Sequence, residues 1–269
     1  MTDEAAVRSR TDGALATITI DRPAKRNALT VAMYAALADA VNAANADPDV
    51  RVIVLTGAGG SFSAGNDLGD FIAASGTARA HDDEAPVRRF QEAVLAGTAV
   101  LIAEVDGPAV GIGATVLLHC DLVYATERSY LQFPFVNLGL VPEFGSSALL
   151  PQRVGRLRAA DILLFGDRFT AARAREIGLV NDVLPDAVAL RAHVAQRVEA
   201  LLAKPAGALR EIRALLRAAE PSEPHARMVH ESGIFTALLD DPDTKARITE
   251  VLWRRSQSGK NPSPSTSSG

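Results

Sequence analysis

The stretch that most constrains the fold of this chain is residues 106–121, Asp-Gly-Pro-Ala-Val-Gly-Ile-Gly-Ala-Thr-Val-Leu-Leu-His-Cys-Asp. It follows an apolar segment, residues 100–105, that is typical of a buried strand, and it ends in an apolar run, residues 114–120, that favours a helix. A Gly-Pro turn and two further glycines, Gly111 and Gly113, separate strand from helix. Backbone N–H groups at such a helix start have no partner within the helix, and they lie at the positive end of its dipole. The sequence therefore predicts a site for a developing negative charge.

A second glycine-rich segment, residues 57–69, follows the β-branched apolar run 50–56, which favours a strand buried on both faces. Gly60 and Gly65 have the spacing of a phosphate-binding loop, but Asn66 stands where that loop needs its lysine. The Gly-Ile-Gly of the first segment is not completed to a dinucleotide fingerprint, and the chain contains no G-x-S-x-G nucleophile motif. The two strand exits therefore support neither a lysine-bearing phosphate loop nor a dinucleotide fingerprint, and a nucleophile elbow is absent.

The composition narrows the class of protein. With 269 residues, 48% hydrophobic and 22% charged, the chain has the make-up of a soluble protein with a sizeable core, in one large domain or two small ones. A net charge of −4 without a long run of Lys or Arg argues against a nucleic-acid binder. No apolar run is long enough to span a membrane and the polar N-terminus lacks a signal peptide's apolar stretch, so we expect a cytoplasmic location. The single cysteine, Cys120, lies in an apolar run and is expected to be a small buried hydrophobe rather than a nucleophile.

Patterned segments elsewhere add strands and helices. Residues 14–20 alternate as a strand does, and Thr30 is placed to cap a helix that extends to about residue 45. After residue 185 the chain has the pattern of amphipathic helices, which must bury their apolar stripes either on the sheet domain or on another subunit. We assign residues 1–195 to a core domain, 196–255 to a C-terminal helical region and 256–269, rich in Ser and Pro, to a disordered tail.

Glu143 is the carboxylate best placed for acid–base chemistry, because it stands in an otherwise apolar stretch, residues 135–147. Burial there would raise its pKa and favour general-base work near neutral pH. It could equally cap the helix that begins near Gly145, where a negative charge is welcome. Residues 71–87 form a polar segment that favours a mobile loop or a frayed helix, so we expect His81 to be a solvated histidine rather than a catalytic one. No spacing typical of metal ligands is present.

Four spaced motifs resemble the crotonase (enoyl-CoA hydratase/isomerase) superfamily. In order they are Phe-Ser-Ala-Gly-Asn-Asp-Leu at 62–68, Asp-Gly-Pro-Ala-Val-Gly-Ile-Gly-Ala at 106–114, Cys-Asp-Leu-Val-Tyr-Ala at 120–125 and Asn-Leu-Gly-Leu-Val-Pro-Glu at 137–143. The resemblance extends over about residues 15–185. It implies an α/β fold of the crotonase type, a spiral of ββα units with two roughly perpendicular sheets and a C-terminal helical trimerisation region. It also implies a homotrimer, or a hexamer made of two trimers.

The ligand that the resemblance implies is an acyl-CoA thioester, with coenzyme A as part of the substrate and no separate cofactor or metal. In that superfamily two backbone N–H groups bind the thioester oxygen, and by position these are the N–H groups of Asn66 and Ile112. The residues that correspond to CoA or substrate contacts are Lys25, Arg26, Ala28, Ser63, Ala64, Gly65, Asp67, Leu68, Gly111 and Phe135. Lys25 and Arg26 either meet the CoA phosphates or are solvated surface charges, and Asp67 is suited to hold its own loop.

Departures from the hydratase pattern decide the expected activity. Enoyl-CoA hydratases carry two glutamates, and the corresponding positions here are Thr115 and Phe135, which cannot supply an acid–base pair. Glu143 instead resembles the single catalytic glutamate of the Δ3,Δ2-enoyl-CoA isomerases, although Phe144 stands where a glycine is usual and Asn66 where a small residue is usual. The resemblance thus implies a 3-enoyl-CoA isomerase. The alternatives are hydration or another acyl-CoA lyase reaction, and a non-catalytic acyl-CoA-binding protein.

Overall fold

The strands of this chain form two sheets. The computed structural model describes residues 6–70, 85–218 and 224–258. The strands are β1 Val7–Asp12, β2 Leu15–Ile20, β3 Val52–Gly57, β4 Val100–Val105, β5 Pro108–Val110, β6 Leu122–Thr126, β7 Tyr130–Gln132, β8 Arg168–Thr170 and β9 Asp182–Leu184. The larger sheet has the order β1–β2–β3–β4–β6–β9, and all its neighbouring pairs are parallel except β1 with β2. The smaller sheet pairs β5 with β7 in parallel and β7 with β8 antiparallel.

Helices follow most strands and fill the C-terminal third. They are α1 Val31–Ala46, α2 Pro86–Ala96, α3 Ile112–Thr115, α4 Ser146–Val154, α5 Arg156–Phe165, α6 Ala171–Glu176, α7 Ala187–Leu202, α8 Ala206–Ala218, α9 Pro224–Asp240 and α10 Pro242–Ser258. Thr30 caps α1 as predicted, since its hydroxyl accepts a hydrogen bond from the Met33 N–H at 3.3 Å. None of the described helices has the length and apolar character needed to cross a bilayer.

The central strands are apolar throughout because their two faces are covered by different layers. Ile53 and Leu55 of β3 join the main core, which also contains the buried side chains of α1. Val52 and Val54, which alternate with them, pack with Val194 and the rest of the apolar stripe of α7. Each such buried side chain contributes about 1.5–3 kcal/mol, so strand β3 is held from both sides, as its sequence predicts.

The C-terminal helices α9 and α10 dock on the core of their own chain. Met228 and Ile248 are fully buried in the same cluster as the central strands. These two helices therefore bury apolar side chains on the sheet domain of their own chain, one of the two possibilities that the sequence left open. The predicted division after residue 195 falls inside α7, whose Val194 and Val198 form one stripe against the sheet. The predicted tail starts too early, because α10 continues to Ser258; residues 259–269 lie outside the described residues.

Other differences concern elements with weak sequence signals. Strand β1 was not predicted, because its exposed residues Val-Arg-Ser-Arg-Thr-Asp show no apolar alternation and only pairing with β2 makes them a strand. The apolar run predicted as a helix over 114–120 becomes the short helix α3 followed by a 3-10 turn, Val116–His119. Of the predicted loop 71–87, residues 71–84 lie outside the described residues, and its end belongs to α2.

Candidate active site

The two glycine-rich strand exits lie side by side. The Ser63 N–H donates to the Pro108 carbonyl at 2.9 Å, and the Val110 N–H donates back to the Ser63 carbonyl at 2.9 Å. Gly65 has a φ of +87°, and a Cβ on it would lie 2.9 Å from the Val110 oxygen, so this close approach requires glycine. Gly111 has a φ of 56° and a ψ of −121°, a conformation that a side chain would disfavour. The glycines thus allow the two exits to meet.

Asn66 and Ile112 each present a free backbone N–H at this meeting point. Leu29 bonds to the residues on either side of Asn66, donating to the Gly65 carbonyl and accepting from the Asp67 N–H, each at 2.8 Å. In such a parallel bridge the N–H of Asn66 itself faces away from Leu29. Ile112 is the first residue of α3, where an N–H has no intrahelical partner. Within the described residues neither N–H has an acceptor.

Both N–H groups belong to residues that line one cleft. Eight of the predicted site residues line this cleft: Ala64, Gly65, Asn66, Leu68, Gly111, Ile112, Phe135 and Glu143. Further apolar lining comes from Val110, Pro134, Leu138, Leu140 and, from α9, Phe235. The cleft is therefore an apolar pocket with two backbone donors and one carboxyl group along its described walls.

Glu143 is a buried carboxyl, 8% exposed, and its Oε1 has no hydrogen-bond partner among the described residues. Burial, with a further contribution from the negative charge of Glu231, raises its pKa to about 8. The alternative role, capping the next helix, is filled by Glu231 instead: its Oε2 accepts from the Gly145 N–H at 2.6 Å and its Oε1 from the Ser147 N–H at 2.8 Å. The side chain of Glu143 is thus available to the cleft.

Phe144 stands where a glycine is usual, and its backbone has a conformation that glycine favours. Its φ is 60°, in the left-handed region, which costs a non-glycine residue about 1–2 kcal/mol. The ring of His119 stacks on that of Phe144 with centroids 3.8 Å apart, and its Nε2–H donates to the Phe144 carbonyl at 2.7 Å. Burial lowers the pKa of His119 to about 3, so the imidazole is neutral and the nitrogen that faces the carbonyl carries the proton. These contacts hold the residue next to Glu143.

Tyr34 is a site residue that the sequence analysis missed. Its hydroxyl donates to the side-chain oxygen of Asn66. Asn66, which stands where a small residue is usual, thus has a buried hydrogen-bond partner on α1. Burial raises the pKa of Tyr34 well above its ordinary value, and the nearby Glu143 adds to this, so the phenol stays a donor. The only signal in the sequence was its place on the buried side of α1, where it resembles a core residue. Glu231 gave no local signal, because its partners are about 85 positions earlier in the chain.

The remaining predicted contacts lie beside the cleft rather than in its wall. The Arg26 carbonyl accepts from the Ala64 N–H at 2.9 Å, so the turn that carries Lys25, Arg26 and Ala28 abuts the segment 63–68. Lys25 and Arg26 are exposed, Ala28 is half-buried, and Ser63 is fully buried, with its hydroxyl donating to the Asn27 carbonyl at 2.9 Å.

Asp67 is tied down by an ion pair. Its Oδ2 lies 2.7 Å from Nη1 of Arg22. Desolvation alone would raise the pKa of this carboxyl, but hydrogen bonds from Arg22 and from the N–H groups of Asp70 and Gly69 hold it below the usual value. The geometry fits a residue that holds its loop.

Comparison with known proteins agrees with this architecture. A family profile described as Enoyl-CoA hydratase/isomerase matches residues 10–257. Among solved structures, that of Pseudomonas aeruginosa OdaA superposes with a TM-score of 0.87 at 38% identity, over 92% of this chain and 98% of the other.

Two named relatives carry different activities. Enoyl-CoA delta isomerase 2 of Rattus norvegicus is 37% identical over 217 residues, and 2,3-dehydroadipyl-CoA hydratase of Escherichia coli is 32% identical over 238 residues. The first alignment covers 80% of this chain but 55% of the isomerase, and the second covers 88% and 92%. The chain thus spans about half the length of the isomerase relative. The profile match and the fold place it plainly: this protein belongs to the enoyl-CoA hydratase/isomerase family.

Proposed function

We propose that this protein is a Δ3,Δ2-enoyl-CoA isomerase with Glu143 as its single acid–base residue. The observation that carries the proposal is the make-up of the cleft. Among its described lining residues Glu143 is the one carboxylate, and it shares the cleft with Asn66 and Ile112, whose N–H groups are unpaired. The Rattus norvegicus relative, named an enoyl-CoA delta isomerase, supports the same assignment.

The proposed reaction needs one base and one oxyanion site. A 3-enoyl-CoA has weakly acidic hydrogens at C2, between the thioester and the double bond. Glu143 as a carboxylate removes one of them, and the dienolate that forms carries its charge on the thioester oxygen. The N–H groups of Asn66 and Ile112 donate to this oxygen, and losing one such donor costs about 2.7–4 kcal/mol of transition-state stabilisation. Glu143, now protonated, returns the proton at C4 and gives the conjugated 2-enoyl-CoA.

The environment of Glu143 suits this role. A carboxyl whose pKa is raised to about 8 is a stronger base than a solvated one, and part of it is ionised at neutral pH. Phe135 in the cleft wall and the buried Phe144 keep water away from the carboxyl group. Neither step requires a separate cofactor or a metal ion, and this absence stays a prediction.

Hydration is the second candidate, because the Escherichia coli relative is named a hydratase and is covered over 92% of its length. Hydration needs a second group to activate or orient water. Hydratases carry glutamate at two positions of this pattern. In this chain those positions are Thr115, which is fully buried, and Phe135, which is apolar. The isomerase is therefore the better supported of the two.

The substrate and assembly follow from the same proposal. The acyl-CoA thioester would bind with its CoA portion along the segment 63–68 and the turn that carries Lys25 and Arg26. We propose a homotrimer, or a hexamer of two trimers. Apolar side chains exposed on α5 and α8 support further association, and they are Leu157, Leu164, Phe165, Ile212, Leu215 and Leu216. Light scattering of the purified protein tests the assembly.

The test of the activity uses two substrates. Purified protein is incubated separately with trans-3-enoyl-CoA and trans-2-enoyl-CoA, the absorbance of the conjugated thioester is followed, and the products are separated. The proposal predicts growth of the conjugated signal from the first substrate and no hydration of the second. A 3-hydroxyacyl product from the second substrate would favour the hydratase, and binding without turnover of either would favour a non-catalytic acyl-CoA-binding protein.

A further inference from the structure

Glu231 connects the C-terminal helices to the loop that carries Glu143. It lies on α9, is 4% exposed, and uses both carboxylate oxygens to accept the N–H groups of Gly145 and Ser147 at the start of α4. A buried carboxylate with two backbone donors, at the positive end of a helix dipole, is the arrangement that best stabilises its charged form. The carboxylate of Glu231 is therefore bound to the backbone of Gly145, two residues after Glu143.

Three elements place ionisable groups at Glu143 or at the residues that follow it. Tyr34 of α1 is a neutral phenol, and His119, which lies against Phe144, is a neutral imidazole. Glu231 of α9, when ionised, raises the pKa of Glu143 and so favours the protonated form of Glu143. Arg227, one turn earlier on α9, lowers the pKa of Glu231 and so favours its charged form. Each of these groups belongs to the described residues.

From this arrangement we propose that Glu231 is a positioning residue of the isomerase, which fixes the loop that bears Glu143 and holds a negative charge beside it to keep it a strong base. This inference rests on the proposed function and deepens it. Burial raises the pKa of Glu231 as well, while the hydrogen bonds from Ser147 and Gly145 oppose that rise. Of the two buried carboxyl groups, Glu231 is therefore the one whose charge is stabilised by backbone N–H groups. Glu143, with an unpaired Oε1, is the one that keeps its proton.

A charged cap remote from Glu143 should not affect its ionisation, whereas a charged cap beside it should. Asp186 provides the comparison, since its Oδ1 accepts the N–H groups of Val188 and Ala189 at 2.8 Å each at the start of α7. It caps a helix as Glu231 does but is exposed and does not line the cleft. Asp186→Asn thus removes one capping charge without touching the site, and it is the matched control for Glu231→Gln.

The experiment follows the ionisation of Glu143 directly. Protein with ¹³C-labelled glutamate carboxyl groups is titrated by NMR, and the Glu143 signal is assigned by its loss in Glu143→Gln. Glu231→Gln, which keeps the size and one acceptor oxygen but not the charge, should move the Glu143 midpoint to lower pH; Asp186→Asn should leave it in place. If Glu231→Gln does not fold, the parent titration decides the question: the Glu231 signal, assigned by its loss in Glu231→Asp, should titrate at a lower pH than that of Glu143. An unmoved Glu143 midpoint in Glu231→Gln, or a Glu231 that keeps its proton to higher pH than Glu143 in the parent, would overturn the proposal.

Activity measured in parallel separates this inference from the function on which it rests. With trans-3-enoyl-CoA, the rising limb of kcat/KM against pH should shift in Glu231→Gln in the same direction as the NMR midpoint. If the NMR midpoint shifts but the parent protein turns over no enoyl-CoA, the link between Glu231 and Glu143 stands and the isomerase proposal fails. If the parent is active and the midpoint and the limb both stay in place, the isomerase stands and the role of Glu231 is refuted.

Discussion

Replacing Glu143 by Gln should stabilise the protein at alkaline pH, although it removes the proposed base. The carboxyl ionises near 4.5 in an unfolded chain and at about 8 in the folded one, because burial disfavours its charge. A raised pKa in the folded state means that the full stability is present below pH 4.5 and is lost as the pH rises through about 8. The two pKa values differ by about 3.5, and one unit is about 1.4 kcal/mol, so this single group costs the folded state about 5 kcal/mol at high pH.

Urea unfolding of the parent and of Glu143→Gln at pH 5, 7 and 9 measures this cost. The variant has no proton to lose at this position, so the difference in the free energy of unfolding should grow from pH 5 to pH 9 in favour of the variant. Glu127→Gln, at an exposed position, controls for the loss of one negative charge. A difference that stays constant over this range would refute the idea that Glu143 is a buried carboxyl that holds its proton to high pH.

Three further predictions concern the proposed reaction and its support. With trans-3-enoyl-CoA, kcat/KM should rise with pH and level off above about pH 8, since Glu143 acts as the carboxylate; a flat profile between pH 6 and 9 would contradict this. Gly65→Ala places a Cβ 2.9 Å from the Val110 carbonyl oxygen, and the resulting displacement of the Asn66 N–H should lower kcat by about 100-fold. Gly69→Ala is the control: its Cβ meets nothing closer than 3.4 Å, so kcat should stay near that of the parent. Tyr34→Phe leaves the Asn66 amide without its partner and should cost about 1–3 kcal/mol in thermal unfolding together with a reduced kcat; full retention of both would show that the hydrogen bond to Asn66 contributes nothing.

Much of the frame around the cleft could be predicted because its signals are local. Strands β3 and β4 are continuous apolar runs, Thr30 is a cap residue before an amphipathic segment, and glycines mark where both strands end. Parallel strands end at the same edge of a sheet, and the residues that follow β3 and β4 meet there. The crotonase resemblance is confirmed by the family match and the fold, and the catalytic roles of Asn66, Ile112 and Glu143 stay predictions.

The parts that could not be predicted depend on contacts between distant segments. Tyr34 looks like one more core residue of α1, and its partner at Asn66 is 32 positions away. Glu231 lies in a helix with a weak amphipathic pattern, and only the docking of α9 brings it to the start of α4. Strand β1 exists because β2 offers it an edge, not because its own residues favour a strand. In each case tertiary packing, rather than local sequence, determines the structure.

The most direct test of the central claim is the turnover of trans-3-enoyl-CoA by Glu143→Gln, measured beside calorimetric binding of the 2-enoyl-CoA product. The account predicts that turnover falls by at least about 100-fold, since general acid–base catalysis is lost, while the CoA ester binds as tightly as to the parent. Turnover close to that of the parent, with binding intact, would show that another group moves the proton and that Glu143 is not the base.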